Sequence, residues 1–337
     1  MTAAAGVEPA VNDLLDRIGL LVPGEAPSLE FLTGGVSSLI VRASTSRGTV
    51  CVKKALKKLR VASDWHAPIE RSLAELAWLK LAAQIVPGAV PKVIGEDRVS
   101  MIFAMEFLDP VTHPVWKSQL RDGIIEAPTA RSVADRLVRI HSATASRPEL
   151  AGQFANDAQF HALRLEPYFA VTAQRHPDRA DALHALIATT RESRLALMHG
   201  DVSPKNILVG PGGPVFLDAE CACWGDPAFD LAFCANHLLL KCVWHPESTR
   251  RYVESFDALV STYLDGVDWE VAARLEARSA SLLAGMLLAR IDGRSPVEYI
   301  TVESDRDKVR DFARARLASP AESLAAMASQ WTGLWTS

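Results

Sequence analysis

The hydrophobic pattern of this chain divides near Asp109-Pro110 into a strand-rich region and a mostly helical one, and that change limits the possible folds more than any other feature. A helical opening near residues 8–20 comes first. SLEFLTGG, SSLIVRAST and GTVCVKKA then alternate or run apolar between glycine-containing turns, which predicts three antiparallel strands. Pro68 starts a helical stretch to about Ile85, with Ile69, Leu73, Leu76 and Ala83 on one stripe, and PKVIGED and VSMIFAMEF supply two more strands ending at Phe107. Beyond Asp109-Pro110 the apolar spacing is helical, over roughly 128–144, 157–174, 178–192, 228–242, 247–265, 268–291 and 303–330. The expected class is α+β. Residues 1–107 form a small sheet with its helix, and residues 108–337 form a larger, mostly helical region.

Two short apolar strands interrupt the helices, in LALMHGDVSPKNILVG and GGPVFLDAE. The first places Asp201 and Asn206 five residues apart on a loop, and the second ends in Asp218 and Glu220. Oxygen ligands of this kind, with no Cys or His among them, suit a hard ion such as Mg²⁺, which usually serves phosphate chemistry. Phosphoryl transfer further asks for a carboxylate to accept the proton of the hydroxyl and a Lys on the nucleotide phosphates. Lys53, at the end of the third strand, supplies the Lys. The turn before the second strand, Thr33 to Ser38, has Gly34, Gly35, Ser37 and Ser38 to fold its backbone over phosphates.

HGDVSPKNILV followed by LDAECACWGDPAFDLA resembles the aminoglycoside phosphotransferase and choline kinase family, relatives of the protein kinases in a group that also includes methylthioribose kinase. The likeness runs from about Phe31 to Arg310. It implies a bilobal, protein-kinase-like fold with ATP and Mg²⁺ as cofactors. It also implies Asp201 as catalytic base, Asn206 and Asp218 as Mg²⁺ ligands, Lys53 on the nucleotide phosphates, and Met105-Glu106-Phe107-Leu108 as the adenine hinge. The protein-kinase DFG triplet is replaced by Asp218-Ala219-Glu220, so no Phe is available as an activation switch. Residues two apart on a strand point the same way, so Glu220 could share the metal, as in the DxE motif of methylthioribose kinase. A Lys to Glu ion pair belongs to this machinery. Glu70 and Glu75 flank the apolar stripe on opposite sides and the helical wheel does not choose between them, but AELAWL resembles the family's pattern and favours Glu75.

Other residues carry competing readings. His199 is expected to pack and hydrogen-bond, and Asp226 and Asp230 to tie the loop backbone together. Lys205 lies either near the transferring phosphoryl group or on the surface. Arg290, Asp292 and Arg294, in LLARIDGRSPVEYI, are candidates for substrate recognition or simply surface charges at a helix stop. Cys234-x-x-His237 and Cys242-x-x-His245 mimic a zinc set but fall on an apolar helix, which fits buried thiols better. KKALKKLR at 53–60 lacks interleaved aromatics and suits a solvated turn.

Composition excludes little but agrees: 49% hydrophobic and 23% charged residues make an ordinary globular chain. The net charge of −4 gives no basic field to gather nucleic acid. MTAAAGVEPA lacks a signal-peptide pattern, no apolar run is long enough to span a bilayer, and five scattered Cys suit reduced thiols, so a cytoplasmic chain is expected with no membrane partner. No Walker A, GxGxxG, HExxH or GxSxG pattern occurs. The expected function is an ATP- and Mg²⁺-dependent kinase acting on a hydroxyl of a small molecule such as a sugar, amino-alcohol or aminoglycoside-like metabolite. A non-catalytic nucleotide-binding protein and a protein kinase are the alternatives, and neither the acceptor nor the oligomeric state is set by the sequence.

Overall fold

The computed structural model describes residues 7–32, 38–56 and 68–335. Five strands make one antiparallel sheet in the order β1-β2-β3-β5-β4, with β1 Ser28–Leu32, β2 Ser38–Thr45, β3 Gly48–Ala55, β4 Val93–Asp97 and β5 Ile102–Glu106. They are the five strands expected from alternation and turn residues. Successive side chains of a strand face opposite sides, and β3 uses both. Val50 and Val52 join a small core with Val41 and Ala104, whereas Cys51 belongs to the large core that includes helix α2 (Arg71–Ile85). Lys53 lies on the same side as Cys51, and its Nζ pairs with Glu75 of α2. Helix α1 (Glu8–Arg17) seats Val11, Leu14 and Leu15 on the first face, the i, i+3, i+4 spacing of a helix covering an apolar surface. Leu14 is fully buried there, and truncation to Ala would cost about 2–5 kcal/mol.

The remainder is largely helical, so the fold is bilobal α+β. After α3 (Trp116–Arg121) and α4 (Ala127–Ala145), residues 157–175 form one helical run that widens into π turns over His161–Ala170. Pro167 sits inside those turns. A proline lacks the N–H and crowds the carbonyl four residues before it; the wider π turn relieves the crowding, and the Leu163 carbonyl accepts from Arg164 Nη1 instead (2.7 Å). Helices Ala180–Glu192, Ala228–Trp244, Thr249–Asp265 and Ala272–Asp292 match the expected stretches. The expected single helix over 303–330 is instead two, Glu303–Ala318 and Leu324–Trp335, separated at Ser319-Pro320. Helix α3, barely more than one turn, is too short to leave a period in the sequence.

Between the helices, the two anticipated apolar strands are four: β6 Ala196–Met198 pairs with β9 Cys223–Gly225, and β7 Ile207–Gly210 with β8 Gly213–Phe216. The Ala228–Trp244 helix, buried along most of its length, anchors this unit to the large core. Among the described residues no helix is long and apolar enough to cross a membrane.

Candidate active site

The loop from β6 to β7 is held from beneath by one carboxylate. Asp230, fully buried in the first turn of the Ala228–Trp244 helix, accepts hydrogen bonds from the backbone N–H groups of His199 (2.7 Å) and Gly200 (2.8 Å), as expected of a residue that ties the loop. Asp226 instead accepts from Ala228 N–H at 3.1 Å and pairs with Arg278 at 2.9 Å. Gly200 has φ +78°, and a Cβ there would stand 2.6 Å from the carbonyl oxygen of Cys221, so no other residue fits without a backbone shift. His199 Nδ1 accepts from the N–H of Asp201 (3.1 Å), which leaves Nε2–H to donate to the Leu217 carbonyl (3.1 Å). Its ring meets the edge of Trp78 at 4.7 Å, and burial lowers its pKa, so it is a neutral packing residue.

Asp201 is 3% exposed and held on all sides. The Asn206 amide donates to its Oδ2 at 2.8 Å and to its carbonyl at 3.1 Å. Arg164 Nη2 lies 2.8 Å from the same carboxylate, and Lys205 Nζ 3.3 Å from it. The Lys205 side chain is 55% exposed while its ammonium reaches Asp201, whose charge raises its pKa. Arg164 was not anticipated. It comes from the π turns, where Nε donates to the Gly200 carbonyl (2.7 Å) and Nη1 to that of Leu163 (2.7 Å). Burial works against its charge, but Asp201 more than compensates and raises the guanidinium pKa.

Opposite this loop, Lys53 Nζ donates to Glu75 Oε1 at 2.7 Å and pairs with Asp218. Glu70, at the start of α2, is exposed and stays out of the site, so the structure chooses Glu75. One buried ammonium serves two carboxylates unequally. Burial and the neighbouring Asp218 push Glu75 up to about 7, whereas Asp218 is held well below the usual carboxylate range because Lys53 and Lys205 outweigh the cost of its burial. Asp218 also has φ +65°, an uncommon conformation for a non-glycine residue and of the kind found at functional sites.

Glu220 departs from the sequence reading in geometry. β8 ends at Phe216, so Asp218 and Glu220 do not share a strand face. Glu220 Oε2 accepts from Arg71 Nε at 2.9 Å, and that fully buried Arg71 also donates to the carbonyls of Leu56 (2.6 Å) and Pro68 (2.7 Å). Among the described residues no three His, Cys, Asp or Glu side chains group closely enough to hold a metal alone. The donor set still fits a hard divalent ion. Asp218 and the amide oxygen of Asn206, whose nitrogen is committed to Asp201, can supply part of a shell that nucleotide phosphates complete, with Glu220 on the same cavity wall.

These groups line one cavity of about 790 Å³. Met105, Glu106, Phe107 and Leu108, the stretch expected to be a hinge, border it, and Ser38 borders it from β2. Gly34, Gly35 and Ser37 lie outside the described residues. Of the proposed recognition cluster only Arg290 lines the cavity. Asp292 is instead locked by Arg310 (2.8 Å) and His176 (3.0 Å), and Arg294 pairs with Glu166 at 3.8 Å. That expectation is corrected: density of charge after a helix does not reveal which way each side chain turns. The zinc alternative also fails, because Cys234 and Cys242 are free and buried in the core while His237 lines the cavity. Beside it stand Tyr299, which belongs to the suggestive stretch LLARIDGRSPVEYI, and Lys241, Tyr168 and Phe233, none of these three singled out from sequence as binding residues.

A profile of the phosphotransferase enzyme family matches residues 28–241. The methylthioribose kinase of Geobacillus thermodenitrificans is 26% identical over 281 residues, covering 72% of this chain and 68% of that one. The aligned part spans 68% of the length of that relative and 56% of a methylthioribose kinase from Oryza sativa subsp. japonica. Among solved structures, the choline kinase of Streptococcus pneumoniae superposes with TM-score 0.52 at 18% identity, covering 93% of this chain and 99% of that one. An amicoumacin kinase solved with AMP-PNP and Ca²⁺ gives TM-score 0.53 at 14% identity, covering 98% and 100%. At these identities the structural likeness speaks for the fold.

Proposed function

Because the chain belongs to the phosphotransferase enzyme family, we propose that it transfers the terminal phosphoryl group of ATP to a hydroxyl of a small molecule, with Mg²⁺ as cofactor. The observation that carries this reading is the facing pair of clusters in one cavity: Lys53 with Glu75 and Asp218 on one wall, Asp201 with Arg164 and Asn206 on the other. Lys53 binds the nucleotide phosphates, fixed by Glu75. Asp201 accepts the proton of the attacking hydroxyl, and the Arg164 and Asn206 contacts hold its carboxylate toward that hydroxyl. Mg²⁺ at Asp218 and Asn206 would neutralise phosphate charge. The relatives named methylthioribose, choline and amicoumacin kinases support a small-molecule acceptor in general without selecting one.

A protein-kinase activity is disfavoured by a specific observation. Residues 219–236, which follow Asp218, are buried throughout, so no exposed segment is available there as a peptide-docking platform. A non-catalytic role is disfavoured by the completeness of the polar set. ATP consumption measured over an acceptor library, for the wild type and for Asp201→Asn, tests the proposal. The isosteric change is expected to lower turnover by about 10²–10⁴-fold and to leave Mg²⁺-ATP affinity within a few fold. A variant keeping more than about a tenth of wild-type turnover would contradict the assignment.

A further inference from the structure

The end of the cavity away from the sheet is rich in donors that lack acceptors. Lys241 is 1% exposed and lines the cavity, yet among the described residues its ammonium has no carboxylate or hydrogen-bond acceptor. It lies against the rings of Trp244 (4.9 Å) and Tyr299 (5.0 Å). Arg290 spends Nη1 on the Ser295 carbonyl and, at 3.2 Å, on Tyr168 Oη and Ser295 Oγ, but its Nε is buried with no partner, and so is the hydroxyl of Tyr299. Burying such groups unsatisfied is costly, which makes their convergence on one cavity wall informative. The two carboxylates at this end are already engaged: Glu298 with Lys117, and Asp201 with Arg164 and Lys205.

Resting on the phosphotransferase reading, we propose that Lys241, Arg290 and Tyr299 form an anion subsite, so that the acceptor is a hydroxyl compound carrying a carboxylate or phosphate group rather than a cationic amine. The Ala228–Trp244 helix sets the spacing. Phe233, His237 and Lys241 succeed one another at i, i+4 and i+8, and all three line the cavity. Arg164, which holds Asp201, lies 5.8 Å above the Phe233 ring. At 1.5 Å per residue the backbone advances about 12 Å from Phe233 to Lys241. The anionic group therefore sits on the order of 10 Å from the hydroxyl that reacts at Asp201, across a wall of aromatic and apolar side chains that suits an apolar body.

A ladder of four probes sharing one chain tests this by calorimetry on the full protein: ω-hydroxyoctanoate, ω-hydroxyoctyl phosphate, ω-hydroxyoctanamide and ω-amino-octanol, with shorter and longer homologues. At least one of the two anions is expected to bind more than about tenfold tighter than the amide, and whichever leads identifies the head group. Lys241→Met should reduce that anion to the level of the amide and leave AMP-PNP affinity unchanged. An amide equal to both anions, an amine ahead of them, or no anion binding at any chain length overturns the proposal. Should Lys241→Met not fold, the wild-type ladder still decides. Phosphoryl transfer is read separately by ADP release. Anion preference without transfer to any acceptor refutes the reaction and leaves the subsite standing, whereas transfer without anion preference refutes the subsite alone.

Discussion

The two ends of the cavity are built on opposite charge plans. Toward the sheet, Lys53 stands among Glu75, Glu106, Asp218 and Glu220; toward the helices, Lys117, Arg164, Lys205, Lys241 and Arg290 stand with Asp201 and Glu298. An end rich in carboxylates suits phosphates that arrive with a divalent cation, and an end rich in cations suits an acceptor that arrives with none. The ends also differ in how they are assembled. The sheet end draws on strands β3 and β5, helix α2 and the loop after β8, whereas the helical end gathers single side chains from α3, the π turns, the β6–β7 loop, two long helices and the segment after Asp292.

The largest effect is expected at the sheet end. Asp218→Ala removes the charge that a divalent ion cannot replace with water, and Mg²⁺-ATP affinity is expected to fall about a hundredfold or more. Titration with AMP-PNP in Mg²⁺ buffer checks this, and unchanged affinity would remove Asp218 from the metal site. At the helical end, Arg164→Lys trades a guanidinium that reaches both Asp201 and the Gly200 carbonyl for a single ammonium. Turnover should drop by roughly 10–100-fold, with the KM for ATP unmoved, because an arginine fork is not reproduced by lysine. An equal loss in ATP affinity would assign Arg164 to the nucleotide end instead.

Gly200→Ala probes the loop that joins the ends. Its positive φ and the 2.6 Å approach to the Cys221 carbonyl predict a loss of about 1–3 kcal/mol in denaturant unfolding. A neutral substitution would mean that the loop relaxes freely. The smallest expected effect is in pH. Burial and the neighbouring charges of Lys117 and Arg290, only partly offset by Glu298, bring Lys241 down to about 7. Its positive charge is thus present below pH 7 and lost above it. His237, lowered well below its ordinary value by burial and the same cations, stays neutral through this window. Affinity for an anionic acceptor should therefore fall by up to about tenfold as pH rises from about 6.5 to 8.5. Lys241→Arg, always charged, should flatten the profile.

The same contrast explains what could be read from the sequence. Asp201, Asn206 and Asp218 stand within one short stretch and Lys53 closes the third strand, so spacing singled them out, while their roles came from the resemblance of HGDVSPKNILV and LDAECACWGDPAFDLA to a known family. Arg164 precedes its partner loop by 36 residues and stood out only as a charge amid Leu163, Leu165, Tyr168 and Phe169. Asp292 failed for a related reason: its partners, Arg310 and His176, lie 18 residues later and 116 earlier, and only the packed helices bring them together. Lys241 was hidden by a Cys and His spacing that suggested a metal site and meant only helical periodicity. The break at Ser319-Pro320 was legible in principle, since proline ends a helix, but the apolar spacing on both sides concealed it.

A crossed titration shows whether the two ends of the cavity do separate work. Asp218→Asn and Lys241→Met, each measured by calorimetry against Mg²⁺-AMP-PNP and against the anion that leads the ω-hydroxy probe ladder, should give opposite losses. The first should weaken the nucleotide and spare the anion, and the second should weaken the anion and spare the nucleotide. Variants that lose both ligands alike, or that lose the ligand assigned to the other end, would contradict the account.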